Sequence, residues 1–315
     1  MPEQRKACVL CAHPAGVIDA AAGAALNLAA PFGVLRCPGC GLRWLDPMPT
    51  ADEYCQLYEA HYFGGIDIAT LPAWMRDYAP QPYQETVGGA REAAFRARLQ
   101  RIAANFPQRG SLLDVGLATG EFAALAAQDG WRVSGLDISE QACRAASRHG
   151  IEVFCGDLLA LDFAGRTFDV IHLSHVFEHF IEPRQALEKL RSLMHEGSLL
   201  VIEVPNQFDS WLRIVVNNLR RFAGKPGMLR SIWSIHHPYF YNAGNLQRLL
   251  RAADFDIVWL RTAFPERWRA NPLRRAMGLV EWLSDKVARR GENIEIAVRL
   301  GSTARGQSAA GKAQR

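Results

Sequence analysis

Three groups of residues in this chain have types and spacings that could do chemistry. The first runs Leu112-Leu113-Asp114-Val115-Gly116-Leu117-Ala118-Thr119-Gly120 and is followed by Gly135-Leu136-Asp137. It reads as strand, tight glycine turn, helix, strand, carboxylate. Such a turn lets the backbone approach a ligand closely, and an acid at the end of the next strand accepts both hydroxyls of a ribose. Asp137 lies 23 positions after Asp114, close to the spacing of about 20 expected for a βαβ unit. Three residues separate Gly116 from Gly120, with Ala118 in the middle, so the pattern is not the dinucleotide fingerprint. The chemistry it suits is the holding of an adenosine-containing cofactor. The plainer alternatives are a glycine turn in some other α/β protein and, for Asp137 alone, an acid capping the helix ahead of Ser139. The register of Asp137 after the turn favours the ribose role.

The second group is Cys8-x-x-Cys11 and Cys37-x-x-Cys40, with 25 residues between the pairs. Each pair can sit on a tight turn that points both sulfurs at one ion. Two such knuckles give the tetrahedral sulfur site that zinc prefers. Pro14 after the first pair and Pro38-Gly39 inside the second are turn residues. A closed four-thiolate site has no open position, so it should stabilise rather than catalyse. Cys55, Cys143 and Cys155 stand alone and are expected to be buried or incidental. The third group is His175, Glu178 and His179, with His236 and His237 further on. These are the side chains that can take a proton from a hydroxyl or a carbon acid.

An α/β fold must position these groups. Strands are expected near 111–117, 132–138, 152–157, 168–174, 198–205, 255–262 and 293–300, with helices between the first five, as parallel βαβ units demand. Ser139-Glu140-Gln141 begins one helix with a capping residue and an early acid, and Gly130 and Gly150 stop two others. Residues 1–50 read as a small zinc-binding module. Residues 51–95 read as a helical linker, with a helix over 51–64, a loop rich in Gly, Pro and Tyr, and a second helix from Ala90 to Asn105. Residues 96–300 form the sheet domain. Within it, 207–240 reads as a helical lid, with Trp211, Ile214, Val215, Leu219 and Phe222 at helical spacing. Residues 265–290 form a basic helical insertion that carries Trp268 and Trp282 beside seven Lys/Arg. That composition suits peripheral membrane contact or a lipid-linked substrate. A helix packed on the sheet domain or on another subunit is the favoured alternative. Residues 301–315 should be disordered.

Asp114-Val115-Gly116-Leu117-Ala118-Thr119-Gly120 resembles motif I of the class I S-adenosylmethionine-dependent methyltransferases, Asp-x-Gly-x-Gly-x-Gly, with Ala118 in place of the middle glycine. The resemblance continues in order. Gly135-Leu136-Asp137-Ile138-Ser139 is similar to the ribose-binding strand end, and Cys155-Gly156-Asp157-Leu158 to the adenine-contacting one. Phe168 to His179 is similar to the fourth strand with its turn, and Gly197 to Asn206 to the fifth. The match covers roughly residues 95 to 300. It implies a Rossmann-like seven-stranded sheet and S-adenosylmethionine as cofactor, held by Asp114, Gly116, Gly120, Asp137, Asp157, Leu158 and His175. Asp157 would accept from the adenine amino group and Leu158 would supply a backbone donor. Arg36 to Pro49, with Tyr58 to Phe63, resembles the zinc-binding leader of a subgroup found in sugar, polysaccharide and natural-product biosynthesis, which includes C-methyltransferases. His236-His237-Pro238-Tyr239-Phe240-Tyr241 resembles the His-x-x-Tyr-Phe-Ser segment that closes the substrate pocket there. In sugar C-methyltransferases that segment is assigned a base from a Glu–His pair. His237 matches the histidine and His236 stands where the glutamate would be. The resemblance therefore implies His237 as the leading base, with His236 and His175 beside it; that His237 only orients substrate or caps the next helix stays open. Tyr62 would reach the cofactor from the leader.

With 315 residues, 49% of them hydrophobic and 22% charged, the chain suits one sizeable domain and a small one in a soluble globular protein. No apolar run approaches the roughly 20 residues that span a bilayer. The expected compartment is the cytoplasm, with reduced thiols. The net charge of +4 hides an asymmetry, since residues 209–290 carry 15 Lys/Arg against 6 Asp/Glu. An anionic or surface-bound acceptor and a plain solvated basic face both account for it. The expected activity is methyl transfer to a small-molecule acceptor. An RNA methyltransferase would want a basic zinc module. Residues 1–50 are nearly neutral, with Arg5, Lys6, Arg36 and Arg43 against Glu3, Asp19 and Asp46, which disfavours nucleic acid. A cofactor-binding scaffold without turnover is the third alternative.

Overall fold

The computed structural model describes residues 7–26, 28, 31–58, 67, 69, 89–209, 211–224, 237–263 and 291–301. His236, Tyr62, the 265–290 insertion and the tail from 302 lie outside the described residues. The central feature is a seven-stranded sheet in the order β10-β11-β8-β7-β4-β5-β6. Its strands are β4 (Ser111–Val115), β5 (Arg132–Asp137), β6 (Glu152–Cys155), β7 (Phe168–Ser174), β8 (Met194–Pro205), β10 (Phe255–Ala263) and β11 (Asn293–Leu300). β4 through β8 pair in parallel, and β11 lies antiparallel between β8 and β10. All seven expected strands are present, and β8 begins four residues earlier than expected, at Met194. Ser198 to Pro205 is buried without interruption. A parallel strand covered on both faces requires such a run.

The crossover helices supply that cover. α3 (Gly89–Ala103) lies ahead of β4, and the crossovers are α4 (Glu121–Gln128), α5 (Glu140–Ser147) and α6 (Pro183–Ser192). The helix expected between β6 and β7 is absent, residues 156–167 connecting them by turns; α7 (Trp211–Phe222) lies in the lid segment, and α8 (Ala243–Ala252) precedes β10. Ser139 caps α5, its hydroxyl accepting from the Ala142 amide at 3.4 Å. Asn242 and Asn245 close a reciprocal capping box at the start of α8. The chain order reverses between β4 and β7, so the crevice at their carboxyl ends is where an open α/β sheet takes its ligand.

The amino-terminal residues build a second sheet, β1 (Val17–Ile18), β2 (Gly33–Arg36) and β3 (Arg43–Asp46), with α1 (Ala20–Leu26) against it and α2 (Ala51–Tyr58) following. Its fourth strand, β9 (Tyr239–Phe240), comes from the far end of the lid segment. Arg43 pairs with Phe240 and Trp44 with Tyr239, and the Leu45 amide donates to the Pro238 carbonyl at 2.9 Å. The leader is therefore not an appendage. Cys8, Leu10, Leu35, Leu42 and Trp44 share one core cluster with Phe177, Tyr239, Tyr241 and the sheet residues Leu173, Ile202 and Ile294.

The expectation that Cys143 and Cys155 stand alone is corrected. α5 and the end of β6 bring them into a disulfide with Cα atoms 5.9 Å apart. Reduced thiols were the expectation for both. The parallel pairing of β6 with β5 sets Cys155 opposite Asp137, below the first turns of α5.

Candidate active site

β4 ends at Val115 and the chain turns at Gly116, which has φ 72°. A Cβ there would lie 2.2 Å from Val176 Cγ2, so both the backbone angle and the close approach of the turn after β7 demand glycine. The amides of Gly116 and Leu117 donate to the Leu136 carbonyl at 2.7 and 3.0 Å, locking the turn onto the end of β5. Gly120, with φ 87°, opens α4. Asp137 sits where those elements meet. Its Oδ2 accepts from the Ala118 amide and its Oδ1 from the Ser139 amide, each at 3.0 Å. The carboxyl is almost fully buried. Burial pushes it up to about 6, against the lowering effect of those two amides.

On the next strand end the Gly156 amide donates to the Asp137 carbonyl at 2.9 Å. Asp157 is exposed there, its Oδ1 accepting from the Leu159 amide at 3.0 Å, and Leu158 is buried behind it. Gly116, Gly120, Asp137, Asp157 and Leu158 thus gather at the carboxyl ends of β4, β5 and β6. Asp114 has a different contact. It is buried within the sheet, and its Oδ1 meets His172 Nδ1 at 2.7 Å. His172 stacks on Phe122 at 3.9 Å, and its Nε2 lies 3.2 Å from the Arg98 guanidinium. Arg98, buried on α3, also donates to Ser174 Oγ at 3.1 Å, pairs with Glu203 and lies 3.5 Å from Glu295. Asn293 Nδ2 donates to the other Glu203 oxygen at 3.1 Å. Burial opposes charge on Glu203, but the Arg98 and His175 charges and the Ser174 hydroxyl hold its carboxyl far below the usual range.

Sequence reasoning did not single out Arg98, His172, Glu203 or Glu295. Three of them interrupt apolar strands, as in Ile171-His172-Leu173, Ile202-Glu203-Val204 and Ile294-Glu295-Ile296. A charge inside a run that reads as a buried strand must find a partner. That signal would have found those three residues.

The third wall is the turn after β7. His175 has φ 56°, a left-handed backbone that costs a non-glycine residue about 1 kcal/mol or more and persists where surroundings over-determine it. Its amide donates to the Glu203 carbonyl at 2.9 Å. Its Nδ1 lies 3.4 Å from Glu178 Oε1, its Nε2 lies 3.9 Å from Glu203 Oε2, and its side chain is 47% exposed. Burial works against charge on His175, but Glu178 and Glu203 outweigh it and raise the imidazole above its ordinary value. Glu178 and His179 occupy a 3-10 turn, Phe177–His179, rather than starting the next helix. His237, just before β9, is buried; its Nδ1 meets Gln207 Oε1 at 3.0 Å and its Nε2 lies 3.9 Å from Glu178 Oε1. The His179 and His237 rings meet edge to face at 4.9 Å. The structure brings His175 and His237 to the same carboxylate, a relation the sequence did not reveal.

The cysteine knuckles form as spaced. The Ala12 amide donates to the Cys8 carbonyl and the Gly41 amide to the Cys37 carbonyl, each at 2.9 Å, with φ 56° and 75° at the fifth residue of each turn. Cys8 and Cys40 Sγ lie 3.5 Å apart, as do Cys11 and Cys37, and all four sulfurs lie within 4.8 Å of one another. Sulfurs at about 2.3 Å from one tetrahedral ion are about 3.8 Å apart, so the four thiols fit zinc.

A methyltransferase-domain family model matches residues 87–260 of this chain. A ubiquinone biosynthesis O-methyltransferase from Parvibaculum lavamentivorans is 35% identical over 101 residues, 30% of this chain and 40% of that protein. One of the same name from Coxiella burnetii is 28% identical over 127 residues, 38% of this chain and 54% of that protein. The chain thus spans about half or less of these relatives' own length. Among solved structures, a 1,6-didemethyltoxoflavin-N1-methyltransferase from Burkholderia thailandensis, with 1,6-didemethyltoxoflavin and S-adenosylhomocysteine bound, superposes with a TM-score of 0.50 at 16% identity, covering 87% of this chain and 98% of that one. A plantazolicin methyltransferase, in complex with a triazolic desmethylPZN analog and S-adenosylhomocysteine, gives a TM-score of 0.50 at 14% identity over 79% of this chain and 96% of that one. Both share the fold.

Proposed function

The chain belongs to the methyltransferase-domain family, and from that premise we propose that it transfers a methyl group from S-adenosylmethionine to a small-molecule acceptor, namely a sugar, nucleotide-sugar, polysaccharide precursor or natural product. The observation that carries the cofactor half is Asp137, a buried carboxylate at the end of β5 held by two amides against the glycine turn. Bound there, S-adenosylmethionine supplies a methyl group already activated on a sulfonium. Asp137 accepts the ribose hydroxyls, Asp157 accepts from the adenine amino group, and the absent side chain at Gly116 lets the backbone come close. Asp114 sits one step back, inside the sheet, where it holds His172.

The acceptor half lies against the turn after β7. Its class rests on the resemblance of the leader and of residues 236–241 to the sugar and natural-product subgroup. We assign proton removal to His175 rather than to His237. His175 is half exposed at the strand end, whereas His237 is buried with Nδ1 on Gln207 and Nε2 toward Glu178. A base must reach the proton it takes, and alignment of acceptor and methyl supplies much of the rest. Zinc in the Cys8, Cys11, Cys37 and Cys40 site holds the leader, and through β9 it fixes His237.

Calorimetric titration with S-adenosylhomocysteine tests the cofactor half. Micromolar binding by the zinc-loaded protein, abolished by Asp137→Ala, is expected; well-folded protein that does not bind would reduce the reading to a shared fold. Radiolabelled methyl transfer to pooled nucleotide sugars and related metabolites tests the acceptor half. His175→Ala should lower kcat by about a hundredfold or more, a far larger loss than any it causes in S-adenosylhomocysteine affinity. Undiminished turnover would remove His175 from the reaction.

A further inference from the structure

We propose that Cys143 and Cys155 form a thiol–disulfide switch on the cofactor wall. The closed disulfide orders the strand end that faces the adenosine, and its reduction loosens the grip on the cofactor. This effect on the cofactor rests on the reading of the chain as a methyltransferase. The pair joins α5 to the last residue of β6, with Cα atoms 5.9 Å apart. Asp137 stands against both cysteines. The register of β5 and β6 sets Cys155 opposite it, and Cys143 Sγ lies 3.4 Å from its carbonyl oxygen. The same carbonyl accepts from the Gly156 amide at 2.9 Å. The covalent link therefore ends two residues before Asp157, the residue assigned to the adenine.

What else holds that strand end decides how much the link matters. β6 is at the edge of the main sheet and is its shortest strand, with four residues of which none is buried. It pairs with β5 alone. A strand with one neighbour and no buried residue belongs to the least stable part of a sheet. Gly156, at φ 145°, follows Cys155 directly, and a residue without a side chain gives the chain a joint there. α5 is held more firmly. Ser139 caps it, the Cys143 amide donates to the Ser139 carbonyl at 3.0 Å, and Ala142 and Ala146 are fully buried. With the link open, β6 keeps its single ladder and the contact of Phe154 with Phe163, whose rings are 5.0 Å apart. The disulfide thus ties a lightly held strand end to a well-packed helix, and a wall ordered before the ligand arrives binds it more tightly.

The exposures suit exchange with a small thiol such as glutathione. Cys155 is exposed and Cys143 is buried, so an incoming thiolate meets the Cys155 sulfur first. Attack there forms a mixed disulfide on Cys155 and releases Cys143 as a thiolate. A second thiolate attacks the glutathione sulfur of that mixed disulfide and releases Cys155. Two electrons pass to the protein, the two protons of the incoming thiols end on the cysteines, and glutathione leaves as its own disulfide. A ligand that prefers the closed form holds it closed by the same factor.

Zinc-loaded full-length protein would be poised in reducing and in oxidising glutathione buffers, with the state of the pair read by peptide mass and S-adenosylhomocysteine affinity by calorimetry. The reduced protein is expected to bind about tenfold more weakly, the cost of ordering roughly one backbone residue. Hydrogen exchange should show the Gly156 amide losing protection on reduction while the Gly116 amide keeps its own. Saturating S-adenosylhomocysteine should lower the midpoint potential of the pair by about 30 mV, which is tenfold for two electrons. Cys155→Ser, a change at an exposed position, should bind like the reduced protein in both buffers. Equal affinity in the two buffers, a pair that stays reduced in the oxidising one, or a difference that survives in Cys155→Ser would overturn the switch. Protein that binds S-adenosylhomocysteine in neither state would overturn the methyltransferase reading. The Gly156 amide would then decide the switch alone: protection lost on reduction upholds it, and unchanged protection overturns it.

Discussion

At the scale of single residues, Asp137 has the sharpest consequence. Its carboxyl ionises near 6 rather than near the ordinary 3.8, because burial disfavours the charge more than the Ser139 and Ala118 amides favour it. Ribose hydroxyls donate to the ionised form, so bound cofactor favours loss of that proton. Affinity must therefore fall as pH drops through about 6. Calorimetry should show S-adenosylhomocysteine binding about tenfold weaker at pH 5 than at pH 7.5. Asp137→Asn should bind weakly at both values with no such slope, and a slope that survives in Asp137→Asn would assign the titration elsewhere. Ala118 makes the second prediction. It adopts φ 50°, which costs an alanine about 1–2 kcal/mol, whereas glycine adds about 0.5–1 kcal/mol of unfolded-state entropy. Ala118→Gly should leave the protein more stable by about 0.5 kcal/mol in urea unfolding. A loss of stability instead would mean that the Ala118 methyl packs usefully. The glycine turn, Asp137 and the cysteine knuckles were legible in the sequence because each depends on local spacing. Glu178 as the neighbour of both His175 and His237 was not legible, because it stands 59 positions before His237 and no local pattern joins the two positions.

At the scale of elements, α3 is fastened to the sheet by charge as well as by apolar contact. Arg98 reaches from α3 into the strand layer and meets Glu203 on β8, Glu295 on β11, and Ser174 and His172 on β7. Arg101, one turn along, makes two hydrogen bonds to Glu295 at 2.9 and 2.7 Å. Arg98→Met would leave Glu295 paired but strip Glu203 of its main countercharge. An uncompensated buried carboxylate should cost about 3–5 kcal/mol in urea unfolding at neutral pH. The sign with pH follows from the depressed Glu203 carboxyl. Its stabilisation is present above its unfolded value, near 4.5, and is lost as pH falls through the lower folded one. The deficit of Arg98→Met should accordingly be largest near pH 7 and shrink toward acid, where the variant's Glu203 accepts a proton. A deficit independent of pH would point to lost packing of the arginine stem. The seven strands of the main sheet were readable from apolar runs and glycine stops, since each is long enough to show its own pattern. β9 was not: a two-residue strand has no period to read, and its partner strand lies nearly 200 residues earlier.

At the scale of the whole molecule, the division into a zinc module of residues 1–50 and a separate catalytic domain does not describe how the apolar surface is buried. Trp44, Leu42 and Leu10 of the leader lie in one cluster with Phe177, Tyr241 and the strands of the main sheet. Arg184 on α6 donates to the carbonyls of Val9 at 2.6 Å and Leu10 at 3.1 Å, beside the first cysteine knuckle. The leader's sheet is completed by β9, whose neighbour His237 faces Glu178. Elements that share a core and a strand should unfold together, since neither part retains its buried surface alone. Zinc binding adds on the order of 10 kcal/mol where it fastens a small module, and here that energy would be drawn on by both parts. Scanning calorimetry of the zinc-loaded protein should therefore give one cooperative transition, and a strong chelator should move the whole transition down rather than melt a leading fraction. Hydrogen exchange should show why. In chelator, the amides of residues 238–241 should lose protection together with those of β3, while the Gly116 and Leu117 amides keep theirs at temperatures where the main sheet is intact. Two transitions, with only the first sensitive to chelator, would show instead that the leader melts on its own and that the cysteine site has no hold on His237.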